Sequence, residues 1–261
     1  MDARLAARLV VLAALAWIGS AHAQPFDHSH RAWDALLRED VVVLDGGRAS
    51  RVRYASLARE HARLRAYLDS LSAVQRQEYD RWSRPEQMAF LINAYNAFTV
   101  EKVLTRYPDL RSIRDFGRIF GNPFKDRFFR LLGEPASLDD IEQGMLRKRF
   151  REPRIHFALN CASVGCPMLR EEAYVAGRLD AQLEEQAVRF LSDRSRNRFA
   201  GGHLEVSKIF DWYGEDFEPR AAFFARYAKA LADEPAARKR IEEGKAPVSF
   251  LDYDWSLNDS K

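Results

Sequence analysis

The segment SRPEQMAFLINAYNAFTVEKVLTRYP, residues 83–108, constrains the fold more than any other stretch, because it predicts one long helix. Ser83 and Glu86 have the spacing of a capping box, which satisfies free N–H groups at a helix start. At about 100° per residue, Asn93 and Asn96 fall on the apolar face of this helix. An unpaired buried amide costs about 1–3 kcal/mol, so we expect both asparagines to have fixed hydrogen-bond partners.

The remaining pattern predicts an α+β fold in which helices predominate around a small central sheet. Periodic apolar residues predict a helix within residues 56–79, and Asp45-Gly46-Gly47 is typical of a hairpin between two short strands. The alternation in RIHFALN, residues 154–160, predicts a buried central strand. Further helices are predicted within residues 137–150, 171–192 and 219–243, and further short strands in HLEV and APVSF.

The first 23 residues predict a secretory signal peptide. Arg4 and Arg8 supply positive charge, Leu9–Ile18 is apolar, and Ala21 and Ala23 are the small residues that precede a cleavage site. The apolar run is shorter than the about 20 residues that a membrane-spanning helix requires. We therefore expect a periplasmic or secreted protein with no membrane span after cleavage.

We divide the exported chain into an N-terminal extension, residues 24–54, and a single domain, residues 55–258. The hydrophobic content of 47% and the charged content of 30% are those of a globular protein. The formal net charge is only +3, and basic and acidic residues are interspersed, which argues against nucleic acid as a partner. No motif indicates a cofactor, so we expect none, and the expected partner is a peptide or a protein.

Four stretches carry a resemblance to a known family: AFLINAYNAFTV, SLDDIEQGMLR, IHFALNCASVGCPMLR and VSKIFDWYGEDF, with YDWSLN as a weaker fifth. In this order they resemble the family of unknown function numbered 547, which occurs in exported bacterial proteins and in plants. The resemblance covers about residues 55–258 and implies no established activity. Members often carry Trp where Leu91 stands and His where Gln143 stands. Because Gln143 replaces that His, we infer no acid–histidine pair within the SLDDIEQGMLR helix.

Both cysteines of the chain, Cys161 and Cys166, lie in one stretch, HFALNCASVGCPMLR. Export permits a disulfide between them, which is the favoured interpretation. The alternatives are a nucleophilic thiol paired with His156, separate buried thiols, or a metal site. The four intervening residues do not match the tight spacing of zinc fingers, so no metal is expected. Strand alternation would turn Cys161 away from His156, which places the cysteine turn beside the reactive centre and not within it.

The candidate site gathers His156 with Asp211, with Asn93 and Asn96 on the long helix, and with Asn160 as a further lining residue. The order helix, His and Asp resembles that of transglutaminase-like and papain-like cysteine enzymes. Those enzymes place a nucleophilic Cys at the start of the helix, and this helix has none. If the topology is of that kind, Cys161 has taken the role or the site is degenerate; this is an analogy at the level of the fold.

Simpler interpretations exist for the same residues. His156 could be a core histidine with satisfied hydrogen bonds, and Asp211 could face solvent. Asp216 fits the N-terminus of a following helix, where a carboxylate interacts favourably with the helix dipole. Glu142, like its acidic neighbours, fits helix capping. It therefore does not indicate a hydrolase that uses two carboxylates.

Two functions therefore follow from the sequence. The first is a non-catalytic or degenerate papain- or transglutaminase-like domain that serves as a binding module or scaffold. The alternative is a hydrolase or acyl-transfer enzyme acting on peptide or amide bonds. It would use His156 with Asn93 and Asn96, Asp211 and Cys161, of which His156, Asp211 and Cys161 are the candidate catalytic residues.

The signal peptide is directly testable. Mass spectrometry of the protein from an exporting host should find a mature N-terminus at Gln24, because cleavage after Ala23 fits the small-residue pattern. A full-length product retained in the membrane fraction would contradict this prediction.

Overall fold

A computed structural model describes residues 25–117 and 121–261, and the predicted signal peptide, residues 1–23, lies outside them. The described residues form a helix-rich α+β fold, as predicted. The helices are α1 (Arg31–Asp40), α2 (Tyr54–Arg59), α3 (His61–Ala73), α4 (Arg76–Tyr79), α5 (Arg84–Leu104), α6 (Ile155–Ala158), α7 (Leu179–Leu191), α8 (Ile209–Trp212), α9 (Arg220–Arg226), α10 (Ala228–Leu231) and α11 (Pro235–Glu242). The strands are β1 (Val41–Leu44), β2 (Ala49–Val52), β3 (Phe129–Leu131), β4 (Glu134–Ala136), β5 (Arg198–Ala200), β6 (His203–Val206) and β7 (Val248–Phe250).

Helix α5 is the long helix that the sequence predicts, and it begins with the predicted capping box. Ser83 accepts from the backbone N–H of Glu86, whose carboxylate bonds back to the backbone of Ser83. Every residue from Ala89 to Val100 is buried, so the helix is surrounded on all sides and not only on one face. A helix apolar on most of its surface is stable only in such an enclosed position.

Both asparagines of α5 are buried and fully paired, which confirms the prediction. Asn93 donates to the carbonyl of Tyr174 (2.7 Å) and accepts from its N–H (3.1 Å). Asn96 donates to the carbonyl of Ala158 (2.9 Å) and accepts from the N–H of Asn160 (2.8 Å). Each side chain thus completes the backbone hydrogen bonds of a segment that has no strand partner there.

The described residues pack into two hydrophobic clusters that meet at α6. The first cluster surrounds α5, and the second is formed by α7 to α11 with β6. Within α6, Ile155 belongs to the first cluster and Phe157 to the second. His156 therefore lies at the junction of the two.

Residues 25–54, which the sequence assigns to an N-terminal extension, pack against the same core as α5. Trp33 and Leu36 of α1 and Val52 of β2 are buried within the first cluster. The predicted hairpin is present, with β1 and β2 antiparallel and Val41 opposite Val52. This segment thus contributes to the main core and does not form a core of its own.

The central strand predicted over residues 154–160 is wrong, because Ile155–Ala158 is a short helix. Short apolar runs do not distinguish a strand from a helix when both faces are buried, as they are here. The described strands instead form three small sheets: β1–β2, β3–β4, and β5–β6–β7, in which β6 and β7 are parallel. The place expected for a central strand is taken by α6 packed near α5.

A C-terminal strap, residues 251–259, crosses the turn that follows α6. The N–H of Val164 donates to Ser256 (2.8 Å), and the N–H of Gly165 donates to Asp254 (2.8 Å). A Cβ on Gly165 would lie 2.9 Å from the backbone N of Asp254, closer than real side chains approach. The absence of a side chain at Gly165 therefore permits this contact.

The pairing of Asn96 leads to a stability prediction. Asn96→Ala should lower the free energy of unfolding by more than about 1 kcal/mol, because it leaves the backbone groups of Ala158 and Asn160 unpaired in the core. Urea denaturation measures the difference. Gln77→Ala, at an exposed position of α4, is the control and should change stability by less than about 0.5 kcal/mol. Equal effects of the two substitutions would contradict the prediction.

Candidate functional site

A cleft of about 1000 Å³ opens where the two hydrophobic clusters meet. Its walls come from α5, the π-helical segment Asp140–Arg147, α6, the turn after α6, α8 and the C-terminal strap. The residues that line it include Tyr95, Arg114, Asp115, Asp139, Glu142, Gln143, His156, Cys161, Cys166, Trp212, Tyr213, Tyr253 and Trp255.

Asn160 holds the turn that carries the cysteines. Its side chain donates to the carbonyl of Pro167 (2.8 Å) and accepts from the N–H of Ala162 (3.0 Å). The side chain of Asn258, from the strap, donates to the same oxygen (3.3 Å). Ala162 has φ 63°, a left-handed conformation that a residue with a side chain rarely adopts. The predicted lining residue Asn160 is therefore buried and organises the cleft wall from behind.

His156 is bound to a carboxylate. Its Nε2 lies 2.6 Å from Oδ2 of Asp216, and its ring stacks on Tyr213 with centroids 4.1 Å apart. Arg147 binds both oxygens of Asp216, with its Nη2 2.8 Å from Oδ1. Burial opposes ionisation, but the hydrogen bonds of His156 and Arg147 outweigh it and hold the pKa of Asp216 far below its ordinary value.

Asp211, which the sequence places beside His156, does not reach the cleft. It lies exposed on α8, because the four-residue helix turns its side chain toward solvent. The 3-10 turn after α8, residues 214–217, instead brings Asp216 to α6. The sequence assigned Asp216 to a helix N-terminus, but in the structure Asp216 takes the place beside His156 that was predicted for Asp211.

Glu142 is the residue that sequence reasoning missed, since it was assigned to helix capping. It is buried in the π-helical segment, where the hydroxyls of Tyr213 and Tyr95 lie near its carboxyl. Burial is the largest effect on this carboxyl and raises its pKa. One signal in the sequence could have found it: Glu142 lies four residues from both Leu138 and Leu146, which are fully buried.

Cys161 and Cys166 carry free thiols in the structure, and their sulfurs lie 2.6 Å apart. The backbone N–H of Cys161 donates to Sγ of Cys166 (2.8 Å). The hydroxyls of Tyr253 (3.3 Å) and Ser163 (3.5 Å) lie beside Sγ of Cys161. Cys161 is half-buried and Cys166 is buried. The disulfide between them stays a prediction.

The surroundings drive the acidities of the two thiols apart. Burial alone would raise the pKa of Cys161, but hydrogen bonds from Cys166, Tyr253 and Ser163 lower it to about 7. Burial raises the pKa of Cys166 well above its ordinary value. In this turn, Cys161 is therefore the thiol that ionises first.

The cysteine turn lines the same cleft as His156, although strand alternation predicted that it turns away from that residue. That prediction assumed strand alternation, which the helical α6 does not have. Among the described contacts, no hydrogen bond joins His156 to Cys161, and the nitrogen Nε2 of His156 is taken by Asp216. The structure thus brings the two residues to one cleft without forming a Cys–His pair.

Three aromatic side chains form the mouth of the cleft. Tyr253 lies between Trp255 (4.6 Å between centroids) and Trp212 (4.9 Å). Trp212 is 44% exposed, which is unusual for so large an apolar side chain. The guanidinium of Arg114 lies 5.1 Å from the ring centre of Trp255.

Residues 25–117 and 121–261 contain no group of three or more His, Cys, Asp or Glu side chains arranged to hold a metal ion. Within the same residues, no helix is long and apolar enough to cross a membrane.

Comparison with known proteins gives one match. Residues 79–191 match the model of a family described as "Protein of unknown function, DUF547". This match supports membership of that family, and it includes α5, the π-helical segment, α6, both cysteines and α7. Asp216, Tyr213 and the strap lie outside the matched residues. The comparisons with curated proteins and with solved structures return no match.

The raised pKa of Glu142 predicts a pH-dependent stability. As the pH rises above the ordinary pKa of a glutamate, the unfolded chain loses its proton first, so the folded state loses stability until the pH passes the raised value. Glu142→Gln has no proton to lose. Urea denaturation between about pH 4 and about pH 8 should therefore show the variant gaining stability relative to the wild type as the pH rises.

The matched control is Glu215→Gln, at an exposed position close to the site. Its stability should follow that of the wild type at every pH. Parallel curves for Glu142→Gln and the wild type would mean that the buried carboxyl titrates normally.

Proposed function

We propose that the chain is an exported binding domain whose cleft takes a peptide or another ligand that carries amide groups. The observation that carries this proposal is the cleft itself, whose volume of about 1000 Å³ lies at the upper end of the range for ligand sites. It combines an aromatic mouth with a floor of convergent polar groups, which is the composition typical of such sites.

The chemistry of the floor favours an uncharged ligand with both donors and acceptors. The raised pKa of Glu142 favours a neutral carboxyl, which both donates and accepts, and Tyr95 and Gln143 lie on the same floor. The charged lining residues include both signs, with the basic Arg114 and the acidic Asp115 and Asp139. A peptide backbone offers donors and acceptors in this combination, and the rings at the mouth supply flat surfaces for its side chains.

The comparison with papain-like and transglutaminase-like enzymes remains part of the proposal. In favour of it, the order of α5, His156 and an acidic residue is kept, with Asp216 in the third place. Two features make the site degenerate in this comparison: α5 carries no Cys at its start, and His156 lies on a helix. A site of this kind would retain the cleft and lose the original nucleophile.

Acyl transfer or hydrolysis of amide bonds is the second candidate. It is favoured by the half-buried Cys161, whose pKa of about 7 provides a thiolate in the cleft wall, and by the acid Glu142. In this candidate the thiolate attacks the carbonyl carbon, and the amine leaves with a proton from the acid. It ranks second because His156 does not bond Cys161, and because Asn93 and Asn96 bind only backbone groups.

Binding can be tested with a library of N-acetylated tripeptide amides and isothermal titration calorimetry. We expect saturable binding of at least one peptide class, and Trp212→Ala should weaken it about tenfold or more, as truncation of an aromatic anchor does. Phe250→Ala, an exposed aromatic on β7 outside the cleft lining, should leave affinity unchanged. Absence of binding by every pool, or equal losses in both variants, would contradict the proposal.

The second candidate has its own test. Incubation with peptide p-nitroanilides should release nitroaniline from the wild-type protein and not from Cys161→Ser, if the thiol is an acyl-transfer nucleophile. Saturable peptide binding without any release would leave binding alone as the function.

A further inference from the structure

We propose that Cys161 and Cys166 form a thiol–disulfide exchange pair that opens on the cleft, with Cys161 as the attacking thiol and Cys166 as the resolving thiol. The proposal adds a redox activity to ligand binding and does not depend on which ligand the cleft takes. It rests on the contact between the two sulfurs and on their unequal access to the cleft.

The unequal access determines which sulfur meets a substrate. Cys161 is half-buried in the cleft wall, whereas only 4% of Cys166 is exposed. A disulfide in the cleft therefore reaches the sulfur of Cys161 first. The sulfur of Cys166 is in contact with that of Cys161, where a resolving thiol must lie to attack the mixed disulfide that forms.

The surroundings of Cys161 suit an attacking thiol. The hydroxyl of Tyr253 and the hydroxyl of Ser163 both lie within hydrogen-bond reach of its sulfur and can donate to the thiolate. Burial keeps Cys166 protonated until the first step is complete. The thiolate is the attacking species in exchange, so this difference between the two thiols makes Cys161 the attacking group and leaves Cys166 for the second step.

The reaction balances without a further reagent. The thiolate of Cys161 attacks one sulfur of a substrate disulfide, a new S–S bond forms, and the first substrate thiolate leaves and takes a proton from water. Cys166 then loses its proton and attacks the sulfur of Cys161, which forms the Cys161–Cys166 disulfide and releases the second substrate thiolate. The substrate gains two electrons and the protein loses two; the reverse reaction oxidises a substrate dithiol.

The turn is built to hold both sulfurs in place. Asn160 bonds Ala162, which follows Cys161, and Pro167, which follows Cys166, and the strap holds Gly165 through its backbone. These bonds do not involve the sulfurs, so they persist in the reduced and the oxidised state. The predicted structural disulfide then corresponds to the oxidised form of this pair.

The experiment uses the reduced mature protein, residues 24–261, with glutathione disulfide as the probe and mass spectrometry after acid quenching. The wild type should lose two hydrogen atoms and retain no glutathione. Cys166→Ser should accumulate one glutathione on Cys161, because nothing resolves the mixed disulfide. Cys161→Ser should react at least about tenfold more slowly than the wild type, because its remaining thiol, Cys166, is buried.

Three results would overturn the proposal: a wild type that keeps both thiols, equal reaction rates in the two serine variants, or glutathione found first on Cys166. In urea both cysteines should react at similar rates, which verifies that the folded turn causes the difference. The circular dichroism spectrum of each variant establishes that it is folded.

Tyr253→Phe tests the role of the hydroxyl as a positioning group. It should move the pH midpoint of Cys161 alkylation upward, because it removes a donor to the thiolate. Tyr107→Phe, whose hydroxyl bonds Asp259, is the matched control and should leave that midpoint unchanged. An unchanged midpoint in Tyr253→Phe would remove this hydroxyl from the explanation of the reactivity.

Discussion

The hydrogen bonds of Asn96 with the backbone on both sides of Leu159 are the interaction on which the rest of the site depends. They join the centre of α5 to the end of α6 and to the first residue of the cysteine turn. Short segments without a strand partner need such side-chain bonds, because their buried backbone groups have no ladder to satisfy them. Asn160 continues the same role within the turn, and the strap closes it from the other side.

Four ionisable side chains determine the electrostatic character of the cleft. Two acids and two thiols occupy its wall or lie just behind it, and in each pair the surroundings move the pKa values in opposite directions. Burial raises the pKa of Glu142, whereas His156 and Arg147 lower the pKa of Asp216. The pKa of Cys161 is lowered and that of Cys166 is raised. Ionisable groups whose pKa values are shifted in opposite directions are typical of sites that supply a proton donor or a thiolate.

Much of the fold was predictable because its signals are local. The capping box of Ser83 and Glu86, the hairpin at Asp45, and the burial of Asn93 depend on residues close in sequence or on one helical period. The prediction of a strand over residues 154–160 was wrong because α6 is buried on both sides. In such a segment the pattern of apolar residues does not distinguish the period of a strand from that of a helix. The prediction that Asp211 lies beside His156 was wrong for a related reason. Which acidic residue contacts His156 depends on a turn, and turns reorient side chains within a few residues.

The sequence by itself determined the helix-rich class and the burial and pairing of the two asparagines, and it singled out His156 and the cysteines as candidate site residues. Only the tertiary structure decided that Asp216 replaces Asp211, that Glu142 belongs to the floor, and that the cysteine turn lines the cleft. Helix capping and periodicity act over one or two turns of chain, so the sequence records them directly. The burial of a carboxyl between two tyrosines, or the meeting of α6 with residues 60 positions away, arises from packing between distant segments, and no local pattern encodes it.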